Sequence, residues 1–295
     1  MALEQGLVGV TGVTGGIGGR VAARLAELGC AQRLIARDPA RAPRLPRAEV
    51  APLPASYDDP EAMRRALDGV RTLFFVSAHE APDRVRQHIA VVDAALAAGV
   101  EHIVYLSFLA AAPAATFTFA RDHFRTEEYI RAAGVAHTFL RPSLYLDLVP
   151  SLCWSDGTIL GPAGEGRVAW VARDDVADAA TAVLVDETGG HDGRTYDVTG
   201  PGALTLDETA AALSAATGRS ITYRAETLEE ARASRASSGA PAWEIEGWVT
   251  SYAAIATGEM AVVSDAVARL AGHPPQSLPD YLRRYPDSVA HLIAP

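Results

Sequence analysis

The chain has 295 residues, 49% hydrophobic and 21% charged, a balance that suits a globular enzyme with a sizeable core. A formal net charge of -10 excludes a binder of the nucleic-acid backbone, which needs clustered cationic surface to release counterions. All 26 residues counted as Lys and Arg are arginines, so chemistry that depends on a lysine amine is excluded too.

LVGVTG (7–12) is a β-rich run without polar alternation, the pattern of a strand buried on both faces of a parallel sheet. Residues 16–29 place Ile17, Val21, Leu25 and Leu28 at helical spacing, with Gly29 as a stop. QRLIAR (32–37) is a second strand, and the alternation then repeats. AEVAPL (48–53) precedes a helix opened by DDPEAMRRAL (58–67), and RTLFFVS (71–77) precedes the helix DRVRQHIAVVDAALAAG (83–99). EHIVYLS (101–107) precedes ARDHFRTEEYIRAAG (120–134), and AHTFLRP (136–142) closes the series. Strands alternating with helices imply right-handed crossovers, so the expected class is α/β, a Rossmann-like doubly wound parallel sheet.

After Pro142 the rhythm changes to a Gly-, Pro- and aromatic-rich stretch, followed by a helix over 174–187 and a strand over 194–200 that return to the sheet. From Leu204 onward the pattern is mainly helical, over 205–218 and 228–239, with 232–241 expected as a mobile loop. The expected partition is a nucleotide-binding domain over 1–145 and 166–200, with a smaller substrate domain over 146–165 and 201–295. Cys30 and Cys153 fit no metal-ligand spacing and are expected as buried small hydrophobes. No apolar run reaches the roughly 20 residues of a membrane span, and MALEQGLVGVTG does not have the pattern of a leader, so a cytoplasmic protein without a membrane partner is expected.

Gly12, Gly15 and Gly18, three apart, occupy the turn between the first strand and the first helix. A glycine turn there lets backbone amides approach an anion while the helix N-terminus adds favourable partial charge. The spacing differs from G-x-G-x-x-G, and the plainer reading is a tight turn that only allows close helix packing. A P-loop is excluded, because that loop ends in a lysine. The residue ending the second strand reports on the ribose: an acid binds the 2′-hydroxyl of NAD, an arginine the 2′-phosphate of NADP. Arg37, with Arg41 behind it, therefore points to NADP(H), unless these arginines form only a solvated surface cluster. Asp38 competes with that assignment unless the Asp-Pro pair is a turn or cap.

VTGVTGGIGG, ARDPAR, SYDDPEAMRRAL, HFRTEEYIRAAGVAHTFLRPSLYLD and SDAVARLAGHPPQSLPDYL together resemble the NmrA-like branch of atypical short-chain dehydrogenases. Within it they are most similar to the NADPH-dependent quinone oxidoreductases and triphenylmethane reductases. The resemblance implies an extended Rossmann domain, NADP(H) as cofactor, and a small C-terminal domain. It places Gly12, Thr14, Gly15, Gly16, Ile17 and Gly18 in the phosphate turn, Arg37 on the 2′-phosphate, and Ser77 and Ala78 along the ribose. It places Pro142, Ser143, Leu144 and Tyr145 beside the nicotinamide. Ser56 stands where many relatives carry Asp, so the adenine contact falls to Ser56, Tyr57 or a backbone group.

Many short-chain dehydrogenases use a Tyr and a Lys four residues later, the Lys lowering the phenol's pKa. No such pair can exist here, and the resemblance puts His123 at the lysine position. His123 would hydrogen-bond the nicotinamide ribose or relay a proton; the plain alternative is a partly exposed helix residue without catalytic duty. His123 and Tyr145 are the catalytic candidates. A quinone takes hydride into an aromatising system, so water or a weak donor completes its protonation, and loss of the Tyr-Lys pair is compatible with that reaction. Ser107 and Tyr145 are further donors to a substrate oxygen, and Trp154, Trp170, Trp243 and Trp248 are expected mainly in packing. His79 and Glu80 lack a second His at metalloprotease spacing, no metal site is expected, and G-x-S-x-G is missing. The expected function is NADPH-dependent reduction of a quinone or other planar conjugated acceptor. The alternatives are a non-catalytic NADP(H)-binding sensor of the NmrA type and a specialised biosynthetic ketone or aromatic reductase. A homodimer is allowed.

Overall fold

The computed structural model describes residues 6–51 and 56–293. In chain order its first half contains β1 (Val8–Val10), α1 (Gly18–Glu27), β2 (Gln32–Leu34), β3 (Ala48–Val50), α2 (Pro60–Ala66), β4 (Thr72–Val76), α3 (Arg84–Ala97), β5 (His102–Leu106), α4 (Thr118–Ala132) and β6 (Ala136–Pro142). Then come β7 (Thr158–Gly161), α5 (Arg173–Val185), β8 (Arg194–Val198), α6 (Leu206–Thr217), β9 (Thr222–Ala225), α7 (Leu228–Ala236), α8 (Ala242–Ala256), α9 (Ala266–Ala271) and α10 (Leu278–Arg284).

Seven strands form one sheet in the order β3-β2-β1-β4-β5-β6-β8, and β7 pairs with β9 separately. The order reverses between β1 and β4, the topological switch point where open α/β sheets bind ligands outside the carboxyl ends of their strands. Both neighbours of β1 run parallel to it, Val10 standing opposite Leu34 and Phe74. The apolar runs are buried as their lack of alternation demands: Val10, Leu34, Phe74, Phe75, Ile103 and Phe139 have no exposed surface. Pro52 and Leu53 of the expected AEVAPL strand lie outside the described residues, and β3 covers its first three positions.

Three local expectations are corrected. Leu28 was assigned to the apolar face of α1, but the helix ends at Glu27 and Leu28 is 51% exposed, while Val21, Ala22 and Leu25 are buried. The stretch 232–241 begins as helix: α7 starts at a Thr227–Glu230 capping box, and Arg235 joins Glu226 at 2.9 Å. The partition also differs. One unit comprises the chain through Phe108, Asp122–Arg141 and Val176–Tyr196; the other comprises Leu109–Arg121, Pro142–Asp175 and the chain from Asp197.

Hydrogen bonds explain the second unit's extra segments. Thr116 bonds Glu259 through its amide (3.0 Å) and hydroxyl (2.6 Å), fixing the loop after β5 there. Val168 exchanges backbone bonds with Leu204, and the Val171 amide donates to Leu144, so 166–175 belongs with the same unit. Cys30 and Cys153 are buried free thiols, and among the described residues no helix is long and apolar enough to cross a membrane.

Candidate functional site

The chain leaves β1 at Thr11, whose hydroxyl donates to the Phe74 carbonyl (3.2 Å) and accepts from the Val76 amide (2.8 Å). Gly12 then turns with φ +64°, and a Cβ there would lie 2.9 Å from the Val76 side chain. Gly18 opens α1 so close to the turn that a Cβ would sit 2.5 Å from the Gly12 carbonyl oxygen. The Gly15 amide closes the turn on Gly12 (2.9 Å), leaving Thr14 and Gly15 exposed at its tip.

The N-cap of α1, Ile17, supplies no side-chain cap, and the first turn carries no acid. The amides of Thr14, Gly16 and Ile17 take no backbone acceptor among the described residues. Arg20 donates to the Gly16 carbonyl (2.7 Å); in a trans peptide this turns the Ile17 N–H the opposite way. Uncapped amides, helix dipole and a cradle that a Cβ would fill suit the phosphates of a dinucleotide.

Beyond β2, Arg37 is exposed, with no carboxylate in ion-pair distance among the described residues. Asp38 is occupied: its carboxylate accepts the Ala40 amide (3.1 Å) and caps the single helical turn Pro39–Arg41. Ser56 accepts the Asp58 amide (3.2 Å). Tyr57 is half-buried, donates to the Val76 carbonyl (2.7 Å), and meets Phe75 edge-on. Burial pushes its phenol up to about 12, against the smaller pulls of Thr11 and Arg37, so it stays neutral at physiological pH. The carboxyl ends of β1, β2 and β4 thus gather the glycine turn, the open arginine and Tyr57.

Ser77 and Ala78 follow β4, and the Ala78 peptide groups are gripped on both sides. Its amide donates to His88 Nε2 (2.8 Å), and its carbonyl accepts from Arg84 Nε (2.9 Å). Arg84 Nη2 also reaches His123 Nε2 at 3.2 Å, and His123 Nδ1 lies 2.9 Å from the Tyr105 hydroxyl. A guanidinium can only donate, so His123 Nε2 is the acceptor and Nδ1 carries the proton. The Ala78 amide fixes His88 in the same tautomer, with Nδ1–H facing Thr126 Oγ1 at 2.8 Å.

His123 is 5% exposed and stacked on Phe108, which contradicts the picture of a partly exposed helix residue. Burial first, and then the Arg84 charge, hold the His123 and His88 rings well below the usual imidazole range. Both ring nitrogens of His123 are engaged, so the ring is a fixed neutral bridge between α3, α4 and β5.

The two rings give the protein an acid limb. Below about pH 6.5 the unfolded histidines take up protons that the folded ones refuse, so stability is complete above that pH and falls as pH is lowered. The slope approaches about 1.4 kcal/mol per pH unit for each ring. Urea titrations between pH 7.5 and 5 are expected to show this decline, and His123→Gln is expected to flatten it by one proton.

Ser107, another expected donor, is 2% exposed and donates to Glu127 Oε1 (2.6 Å). Glu127 is fully buried and held by Arg141 through Nε (2.8 Å) and Nη2 (2.5 Å), with Arg131 at 3.1 Å.

In the second unit Pro142 and Ser143 are buried, and the Ser143 hydroxyl has no partner among the described residues. Leu144 and Tyr145 are half-buried; Tyr145 forms a bridge with Val171, and the Arg173 guanidinium lies 5.1 Å over its ring. Trp170 is buried with its indole N–H on Thr209 (3.2 Å), Trp243 packs on Phe119, and Trp154 and Trp248 are exposed. His123 and Tyr145, paired as catalytic candidates, belong to different units.

Sequence reasoning missed Arg84, His88, Tyr105 and Glu127. One signal was available: Arg84, His88, Val91, Val92 and Ala95 share one helical stripe, so the first two had to be buried polar groups.

The NmrA-like family model matches residues 4–234. The chain belongs to the NmrA-like family. It is 32% identical over 279 residues to an NAD(P)H azoreductase of Xenophilus azovorans, covering 94% of this chain and 96% of that one. It resembles the crystal structure of the Escherichia coli NADPH-dependent quinone oxidoreductase complexed with NADPH, with TM-score 0.85, 31% identity, and 97% and 100% of the two chains covered. It also resembles the Citrobacter sp. triphenylmethane reductase complexed with NADP(H), with TM-score 0.82, 30% identity, and 94% and 99% coverage. The fold expectation and the family resemblance both hold.

Proposed function

We propose that the protein is an NADPH-dependent reductase that delivers hydride to a quinone or another planar conjugated acceptor. The observation that carries the cofactor choice is the contrast after β2, where Arg37 is open and Asp38 is consumed as a cap. The 2′-phosphate of NADPH supplies the charge that Arg37 lacks a partner for, and the uncapped start of α1 takes the pyrophosphate. Relatives that span nearly the whole chain are named as NAD(P)H azoreductase and NADPH-dependent quinone oxidoreductase, which supports the reductase reading.

The bound cofactor supplies the hydride. The protein's own residues hold the phosphates and set the Ser77–Ala78 segment through His88 and Arg84. His123 is buried with both ring nitrogens bonded and so is not a free acid for a simple ketone, whereas a reduced quinone takes its proton from water. This favours the quinone over the ketone as acceptor. The protein is mixed with NADPH and a panel of quinones and triphenylmethane or azo dyes while the absorbance of reduced nicotinamide is followed. Consumption that depends on the acceptor is expected; tight NADPH binding without consumption by any acceptor would leave a sensor in its place. A homodimer, no membrane partner and no nucleic acid remain part of the proposal.

A further inference from the structure

The Ser77–Ala78 segment leaves β4 beside the glycine turn: the Thr11 hydroxyl accepts the Val76 amide (2.8 Å), and the Cβ that Gly12 lacks would lie 2.9 Å from the Val76 side chain. Its peptide orientation is set from the protein interior. The Ala78 amide donates to Nε2 of His88 (2.8 Å), a ring with no exposed surface. His88 accepts there only while its single proton sits on Nδ1, and burial together with the Arg84 charge keeps the ring neutral. That proton goes to Thr126 Oγ1 on α4, 2.8 Å away and buried. Thr126 gives its own hydroxyl proton to the Asp122 carbonyl one turn earlier (2.8 Å), so its oxygen meets His88 with lone pairs alone. The donors therefore all run inward, from Ala78 N–H to His88, from His88 to Thr126, and from Thr126 to the backbone of α4. The helix thus dictates which imidazole nitrogen stays bare. Another oxygen near Nδ1, the Tyr105 hydroxyl, is 3.4 Å away and already takes the His123 Nδ1–H at 2.9 Å.

We propose that Thr126 is a positioning residue for the dinucleotide: through the tautomer of His88 it holds the Ala78 peptide and so tightens NADPH and NADH alike. This rests on the cofactor reading above. Thr126 touches no coenzyme atom itself; its hydroxyl acts through two hydrogen bonds, from α4 to α3 and from α3 to the segment after β4. Without that hydroxyl the ring tilts toward Tyr105 or moves its proton to Nε2, and in both cases the Ala78 amide loses its acceptor. The segment is then ordered only when the coenzyme arrives, and that ordering is paid out of binding affinity. The 2′-phosphate plays no part in this step. Thr126 therefore sets a contribution to affinity common to both coenzymes, whereas Arg37 sets the difference between them.

The test has a spectroscopic arm and a binding arm. In wild-type protein carrying 15N-labelled histidine, the ring signals of His88 are expected to show the proton on Nδ1 and a bare Nε2; the opposite tautomer overturns the proposal at once. Fluorescence titrations with NADPH and NADH then compare the wild type, Thr126→Val and Thr126→Ser, with urea denaturation alongside. Thr126→Val is expected to weaken both coenzymes by the same factor, about 3- to 10-fold, the range of one hydrogen bond, while Thr126→Ser stays within about twofold of the wild type. Lower stability with unchanged coenzyme affinity in Thr126→Val would mean a structural role alone and overturns the proposal. A serine variant as weak as the valine one overturns it too, since the methyl group would then matter and not the hydroxyl. Loss confined to NADPH also overturns it. If Thr126→Val does not fold, Thr126→Ala carries the same comparison. A wild type that binds both coenzymes but reduces no acceptor fails the reductase reading alone and leaves this test intact; one that binds neither coenzyme overturns the cofactor reading and this proposal together.

Discussion

Replacing Arg37 with alanine is expected to weaken NADPH about 10- to 100-fold while moving NADH by less than about threefold. A hydrogen bond to a charged group contributes about 1.5–3 kcal/mol, and each 1.4 kcal/mol is tenfold in affinity. Arg37 is exposed, so solvent screening places the effect toward the lower end, and raising salt should erode the NADPH preference of the wild type. Arg37→Glu should reverse the preference, because a carboxylate repels the 2′-phosphate and accepts from the 2′-hydroxyl of NADH. Fluorescence titration with both coenzymes checks this. Equal weakening of the two would move the phosphate site elsewhere, with Arg41, exposed one turn further on, as the next residue to test.

The second large effect concerns stability. Arg141→Met removes the bidentate partner of a fully buried Glu127 and is expected to cost about 3–5 kcal/mol. Ser107 and Arg131 remain on the carboxylate and soften the loss. Adding Glu127→Leu to Arg141→Met should recover much of it, since replacing a buried ion pair by apolar groups of similar volume is often neutral. Urea denaturation of the two variants and the wild type reads both values. A double variant no more stable than Arg141→Met would mean that the pair sets the packing of β6 against α4 beyond its charge balance.

The sequence exposed what depends on short-range periodicity. Buried strands such as LVGVTG and RTLFFVS announce themselves because residues on both faces must be apolar, and the crossover rule then fixes the sheet class. The glycine turn was visible because Gly12 needs a positive φ and Gly18 a close backbone approach, demands no other residue meets. Arg37 was visible by its place after β2, but only the structure showed the Asp38 carboxylate engaged as the cap on Ala40.

What escaped was contact between elements distant in sequence. His123 meets Arg84 from 39 residues away and Tyr105 from 18, so its tautomer and neutrality follow from the packing of α3, α4 and β5. Nothing in HFRTEEYIR encodes them. The loop 109–121 was placed with the nucleotide-binding part because it follows β5, whereas its hydroxyls and amides find Glu259 and Thr250, more than 130 residues later. Leu28 fitted a helical face that the chain abandons one residue earlier.

Thr11 has a wider consequence. One hydroxyl joins the ends of β1 and β4, where the glycine turn and the Ser77–Ala78 segment depart, so on the proposed cofactor reading these two grips are mechanically yoked. On that reading a molecule seated at one end would find the other already spaced for it, and its two halves would bind as one cooperative ligand. Fragments offered separately, a nicotinamide mononucleotide and an adenosine bisphosphate, would reveal that yoke as mutual tightening.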